Sequence, residues 1–231
     1  MALRLSTLLR DRLMGEEVTT GTIEMVRTGA TTITDAANGF ITSGFIPGMV
    51  VYISVFDLTA AEDQYARVAI VAAGTLTIDR ATLTTAEADD GLITGVPQAF
   101  KDIFTYGELG IYTGSQPASA DDAPTGTLLL LISEASVVVT PGTSTNGLSW
   151  DAPVDGVLGK DSTAWSDVGL VTGTAGWFRF YTNGYDIDGD GCNFDGSVGT
   201  SGAQLNLSSV AIVLAATTTI DEFEVTLPAN V

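Results

Sequence analysis

The chain has 231 residues, of which 28 are acidic and nine are basic, so its formal net charge at neutral pH is −19. Such an acidic surface repels nucleic-acid phosphates and anionic membranes, and we expect neither as a direct partner. The sequence contains no histidine, which removes the commonest general base and zinc ligand and makes a hydrolase the least supported class. The single cysteine, Cys192, has no intramolecular disulfide partner, and with nothing basic near it we interpret it as a bystander.

A short amphipathic helix is predicted within residues 1–14. Four leucines recur at helical spacing and would form one apolar stripe: Leu5, Leu8, Leu9 and Leu13. Three of the nine basic residues lie on the same helix and interrupt the apolar stretch that an export signal would need: Arg4, Arg10 and Arg12. Gly15 is the predicted stop. The pattern favours docking by the leucines over a membrane anchor, and the arginines are candidate contacts for an acidic patch on a neighbouring subunit.

Residues 21–93 have a different pattern, with short strands separated by turns. We predict strands at residues 22–27, 31–35, 49–56, 66–71 and 75–78. Asn38-Gly39 and Ile46-Pro47-Gly48 are turn signals. The last two strands are predicted to form a hairpin with one solvent-exposed face. This segment is therefore predicted to be a small β barrel or sandwich inserted between two helices.

The second helix is predicted after Pro97 and ends near Gly107, with Phe100, Ile103 and Phe104 on its apolar face. Strands follow at residues 108–113, 127–132, 203–207, 210–215 and 223–227. Residues 1–20 and 94–231 together form the predicted main lobe. The fold class is thus mainly β, with two β-sandwich or barrel-like lobes and two short helices.

The best candidate for a core strand is the aromatic run from Trp177 to Tyr181. Its side chains alternate, so that Trp177, Arg179 and Tyr181 share one face while Phe178 and Phe180 share the other. Both faces are apolar enough to be covered, which indicates a central strand with Trp177, Phe178 and Phe180 in the core. Burying the Arg179 guanidinium alone would be costly, so we expect an acidic partner or a stacked aromatic ring beside it.

One acidic loop has the spacing of a cation site. Three carboxylates occupy positions one, three and five of an EF-hand-type calcium loop: Asp186, Asp188 and Asp190. Gly191 takes position six, and Asp195 could supply a further oxygen. Position twelve is Ser197 instead of the bidentate glutamate, which favours a solvated acidic turn. We therefore expect weak calcium binding at most and no other cofactor.

Several stretches of the sequence, taken together, resemble the motifs of a known protein family. They are residues 111–121, 125–129 and 172–180, and Asp195-Gly196 with residues 202–207. Together with the leading residues 1–10, they resemble a family of small virion structural proteins of tailed bacteriophages. Members are commonly compact, with a second helix and an Ile-Tyr-Thr-Gly strand soon after the first helix. This sequence departs from that pattern by carrying residues 21–93, which are similar to small β modules of phage head and tail proteins.

The resemblance implies a non-enzymatic structural protein of the virion, synthesised in the host cytoplasm. Its most concrete form is an accessory capsid protein of the decoration or cement type, a homo-oligomer that contacts the major capsid protein. A tail or neck component, of the tube or collar kind, is the alternative. A module that binds host-surface glycans is a further hypothesis, for which Tyr106, Tyr112 and Tyr185 are candidate exposed aromatics.

Overall fold

A computed structural model describes residues 4–15, 18, 25–54, 64–79, 92–96, 98–183 and 192–226. This part of the chain is mainly β with two short helices, which confirms the predicted fold class at that level. Its strands form open sheets, and no closed barrel is found among them. The helices and strands run in chain order as follows: β1 (Arg4–Leu5), α1 (Thr7–Leu13), β2 (Met25–Gly29), β3 (Thr32–Asp35), β4 (Val50–Ser54), β5 (Gln64–Ala72), β6 (Thr75–Asp79), β7 (Leu92–Gly95), α2 (Phe100–Phe104), β8 (Glu108–Thr113), β9 (Leu128–Glu134), β10 (Val157–Gly159), β11 (Trp165–Val168), β12 (Gly173–Tyr181), β13 (Asn193–Gly199), β14 (Leu205–Asn206), β15 (Ala211–Ile212), β16 (Thr217–Ile220) and β17 (Glu224–Thr226).

The chain divides into two compact units. The large unit comprises Met1–Arg10, Phe104–Thr140 and Thr145–Val231, and the small unit comprises Asp11–Ile103 and Pro141–Ser144. The predicted lobe boundaries at residues 21 and 93 both fall inside the small unit. Its observed boundaries take in part of each helix because Asp11 belongs to α1 and Ile103 to α2.

The small unit contains a six-stranded antiparallel sheet in the order β2-β3-β6-β5-β4-β7, counted over the described strands. The predicted hairpin is present, since β5 and β6 pair with Ala72 opposite Thr75. On β6, Leu76 and Ile78 are buried while Thr75 and Thr77, which alternate with them, are partly exposed, as the alternation indicated.

A predicted turn of the small unit is held by a buried carboxylate. Asp35, at the end of β3, accepts hydrogen bonds from the backbone N–H groups of Ala37 (2.8 Å) and Gly39 (2.6 Å). Asn38 between them has a φ of 58°, a left-handed conformation that asparagine tolerates better than most residues. The Asn38-Gly39 turn is therefore confirmed.

Among the described strands of the large unit, β12 is an interior strand of a nine-stranded sheet whose main path is β1-β13-β12-β8-β9-β11-β16. It pairs antiparallel with β13 on one side and with β8 on the other. The prediction that the aromatic run is a central strand is thus confirmed. The sequence had not predicted β13, because its aspartate, asparagine and glycine residues disfavour strands.

The N-terminal helix is shorter than predicted. Arg4–Leu5 instead form β1, paired with β13, and α1 begins at Thr7. Ser6 caps the helix, because its Oγ accepts the backbone N–H of Leu9 at 3.2 Å. Leu9 is fully buried, whereas Leu13 is 39% exposed, so the leucine stripe is only partly covered. Gly15, with a φ of 101°, follows the helix at its predicted stop.

Candidate functional site

A buried ion pair lies at the centre of β12. The Arg179 guanidinium donates two hydrogen bonds to Asp195, from Nε to Oδ1 at 2.6 Å and from Nη2 to Oδ2 at 2.7 Å. Its Nη1 donates to the backbone carbonyl of Asp122 at 2.8 Å. Both side chains of the pair are completely buried. The predicted acidic partner of Arg179 is therefore present, and the pair is the bidentate kind that fixes geometry most closely.

Aromatic side chains close over the same face of β12. The Trp177 ring stacks on Tyr112, with centroids 4.5 Å apart, and the Arg179 guanidinium lies 5.6 Å from the Trp177 ring centroid. The Tyr112 and Tyr181 hydroxyls are 2.6 Å apart and hydrogen bonded. Gly110 lies directly opposite Arg179 on β8, where a Cβ would come within 2.9 Å of the Tyr112 ring. The glycine thus leaves the space that the two tyrosines occupy.

The opposite face of β12 carries Phe178 and Phe180. They join a cluster of rings from several elements: Phe104, Trp150, Trp165, Phe194 and Phe223. Phe180 stacks on Phe194 with centroids 5.3 Å apart. The structure places all three predicted core residues, Trp177, Phe178 and Phe180, in fully buried positions. Both faces of the strand are consequently covered over residues 177–181.

Burial sets the electrostatics of this polar cluster. Desolvation raises the pKa of the Asp195 carboxyl, and the hydrogen bonds from Arg179 oppose that increase. Desolvation and the neighbouring Tyr112 also raise the pKa of the Tyr181 hydroxyl. At the start of β8, burial raises the pKa of Glu108 to about 7, with Asp167 contributing as a nearby negative charge.

The possible calcium ligands Asp186, Asp188 and Asp190 lie outside the described residues. The prediction that Asp195 could supply a further oxygen to the calcium loop was wrong, because both of its carboxylate oxygens accept hydrogen bonds from Arg179. Ser197, at position twelve of the loop pattern, pairs instead with Gln204, whose Oε1 accepts its backbone N–H at 2.9 Å. Among the residues that the structure describes, no group of three acidic or thiol side chains is placed to hold a metal ion.

The three N-terminal arginines have different environments. Arg12 is buried within the small unit and donates from Nη1 to the Gly44 carbonyl at 3.2 Å, so its candidacy as a solvent-facing contact was wrong. Arg10 is exposed, with Nη2 donating to Thr7 Oγ1 at 2.9 Å. Arg4 is partly buried and attracts Asp195 electrostatically. Arg4 and Arg10 line one shallow depression together with Ser119.

A contact between the start of α1 and the loop before β9 was not predicted. Asp121 accepts hydrogen bonds from the Thr7 backbone N–H (2.6 Å) and the Thr7 hydroxyl (2.8 Å). Desolvation acts to raise the pKa of Asp121, but these hydrogen bonds outweigh it and the pKa is lowered. The first turn of α1 is thereby tied to the loop before β9.

The tyrosines proposed for glycan binding do not form an exposed set. Tyr112 is only 3% exposed because it lies beneath Trp177, which corrects its assignment as a surface aromatic. Tyr106 is half-buried, and Tyr185 lies outside the described residues. The Cys192 side chain is 2% exposed, and burial makes its thiol poorly accessible to reagents.

The large unit also presents an apolar surface that was not predicted. We call it the Val–Leu patch, and it consists of five side chains that are each at least 37% exposed: Val168, Leu170, Val171, Val213 and Leu214. The patch comes from two segments, residues 168–171 and 213–214, which are joined by backbone hydrogen bonds of Gly169. Its N–H donates to the Ala216 carbonyl (2.9 Å), and its carbonyl accepts from the Ala215 N–H (2.8 Å). Gly169 must be small because a Cβ there would lie 2.3 Å from the Val213 carbonyl oxygen.

Comparison with known proteins adds no assignment, because no family model, curated protein or solved structure matches this chain. None of the helices among the described residues is long and apolar enough to cross a membrane.

Proposed function

We propose that this chain is a non-enzymatic structural protein of a tailed-bacteriophage virion, and specifically an accessory capsid protein of the decoration or cement type. The observation that supports the proposal is the position, within the fold, of the sequence stretches that resemble the virion protein family. Tyr112, Trp177, Arg179 and Asp195 come from three of those stretches, and they interlock in the sealed centre of the large unit. Residues with this role maintain a fold, which is what a structural family has in common.

The sealed cluster supports a structural role because its groups are satisfied by one another. Arg179 directs its donors to Asp195 and the Asp122 carbonyl, and the Trp177 Nε1–H donates to the Thr125 carbonyl at 3.2 Å. Each of these bonds ties the loop before β9 or the strand β13 to β12. A ligand would have to displace these bonds to reach the charged pair.

The charge balance supports an outward-facing position on the shell. A net charge of −19 favours solubility and disfavours contact with packaged nucleic acid. The proposed partner is the major capsid protein, met through the depression that Arg4 and Arg10 line. Two cations in an acidic chain attract a carboxylate-bearing neighbour and orient its approach.

Immunogold labelling of purified particles that encode this chain tests the proposal. Antibody raised against the large unit should label the capsid surface at many positions, and particles lacking the coding sequence are the control. Label confined to the tail or collar would favour a tail or neck component. Absence of label from intact and from disrupted particles, with the antibody shown to recognise the purified chain, would contradict a virion protein altogether.

A further inference from the structure

The Val–Leu patch belongs to two segments of the chain that carry no charge in a strongly acidic protein. Residues 168–178 and 196–220 contain no charged side chain, although charged residues make up 16% of the chain. The structure brings these two segments together, since Gly173 and Thr174 on β12 pair with Ile212 and Ala211 on β15. The acidic residues next to these segments are Asp167, which precedes Val168, and Asp221, which follows β16 and lines a depression together with Val213.

The patch includes a turn of unusual composition. Ala216 donates its N–H to the Val213 carbonyl at 3.0 Å, which closes a turn that starts at Val213 and has Leu214 and Ala215 at its tip. Surface turns favour glycine, proline, asparagine, aspartate and serine, whereas this one carries apolar residues and holds Ala215 at a φ of 60°. Val213 and Leu214 are 53% and 59% exposed there. An apolar turn in contact with water indicates a surface that becomes covered.

A sheet edge adjoins the patch. Strand β16 pairs with β11 on one side, with Val168 opposite Thr217, and ends the main path of the sheet among the described strands. Its residues are Thr217, Thr218, Thr219 and Ile220. Natural edge strands usually carry a lysine, a proline or a bulge that prevents pairing with another chain, and β16 has none of these.

We propose that this face, made of the Val–Leu patch and the open edge of β16, binds a second copy of this chain. Two copies that each carry a charge of −19 repel one another, and the repulsion is smallest where the contact is made by segments that contain no acidic residue. A two-fold axis beside β16 places the same patch on both sides of the contact, as a self-complementary interface requires. The inference does not depend on the proposed virion function.

Sedimentation velocity of the full chain, at increasing concentration and at low and high salt, tests the proposal. We expect a dimer that persists or strengthens as salt rises, because salt screens the repulsion and leaves apolar contacts intact. The variant Val213→Asp with Leu214→Asp should weaken dimerisation by about tenfold or more, since it buries unpaired carboxylates at the interface. A monomer at every concentration, or a dimer that dissociates with salt, would overturn the proposal.

The matched control is Val137→Asp with Val138→Asp, which adds the same charge at exposed valines elsewhere on the large unit. It should leave dimerisation within about twofold of the unmodified chain; equal weakening by both double variants would show general repulsion and overturn the proposal. Hydrogen exchange on the unmodified chain covers the case in which the patch variant does not fold. Amides of residues 213–219 should gain protection with concentration, and unchanged protection there would overturn the proposal.

Discussion

Arg179 and Asp195 lie directly opposite each other on β12 and β13, joined by two hydrogen bonds of 2.6 and 2.7 Å, and both are completely buried. The small unit contains a similar pair, in which Arg67 and Asp79 lie opposite each other on β5 and β6. Those two side chains are 40% and 36% exposed. The chain thus contains the same cross-strand ion pair once in a buried and once in a partly solvent-exposed position.

We expect Asp195→Asn to lower the free energy of unfolding by about 3–5 kcal/mol, because it leaves the Arg179 charge buried without a counter-ion. Asp79→Asn is the control and should cost about 1 kcal/mol or less, since water solvates the remaining Arg67. Denaturant titration followed by circular dichroism measures both values. Equal losses in the two variants would show that burial does not determine the strength of the Arg179–Asp195 pair.

Trp177→Ala should cost roughly 3–5 kcal/mol, since it leaves a cavity beside Tyr112 and removes the ring beneath the guanidinium. Trp177→Phe keeps an aromatic ring and should cost less. The fluorescence of Trp150 and Trp165, which remain in the large unit, reports unfolding of both variants. A loss below about 1 kcal/mol for the alanine variant would contradict the buried position.

Gly110→Ala should destabilise the large unit by about 1–3 kcal/mol, because the added methyl group would lie 2.9 Å from the Tyr112 ring and 3.1 Å from the Tyr181 ring. Gly159→Ala on β10 is the control, since a Cβ there meets no atom within 4 Å. We expect that control to change stability by less than about 0.5 kcal/mol. Thermal unfolding compares the two, and an equal shift in the midpoint would contradict the steric explanation.

The raised pKa of Glu108 predicts that the stability of the protein depends on pH. Burial raises its pKa in the folded protein from 4.5 to about 7, so the folded chain binds the proton more tightly than the unfolded chain. The contribution of Glu108 to stability should therefore fall as pH rises from about 4.5 to 7. Glu108→Gln does not ionise and should follow the unmodified protein below about pH 4 but exceed it in stability at pH 8. A stability difference that stays constant with pH would contradict this prediction.

Arg10→Gln should reduce binding of the chain to purified capsids if the exposed face of α1 meets the shell. The reduction should be largest at low salt, because a surface ion pair is screened as salt rises. Arg67→Gln removes the same charge from the small unit and should leave binding unchanged. Co-sedimentation with capsids measures both, and full occupancy of the Arg10 variant at low salt would exclude this residue from the contact.

Local patterns predicted those features that depend on neighbours in sequence. The period of two in residues 177–181 predicted a covered strand, and it holds because each side chain's direction is set by its own backbone. The hairpin of β5 and β6 followed from the same alternation and a short turn. The need of Arg179 for an acidic or aromatic neighbour also followed from sequence, since a lone buried guanidinium is unfavourable anywhere.

Only the tertiary structure decided which carboxylate meets Arg179, because the choice among 28 acidic residues depends on the register between β12 and β13. The alternation of polar and apolar residues from Asn193 to Val198 was a signal for β13, but the adjacent aspartate spacing favoured a loop. The burial of Arg12 and the exposure of Val213 and Leu214 likewise depend on packing between distant segments. Sequence sets the direction of a side chain along its own strand, whereas burial is set by what the rest of the chain places against it.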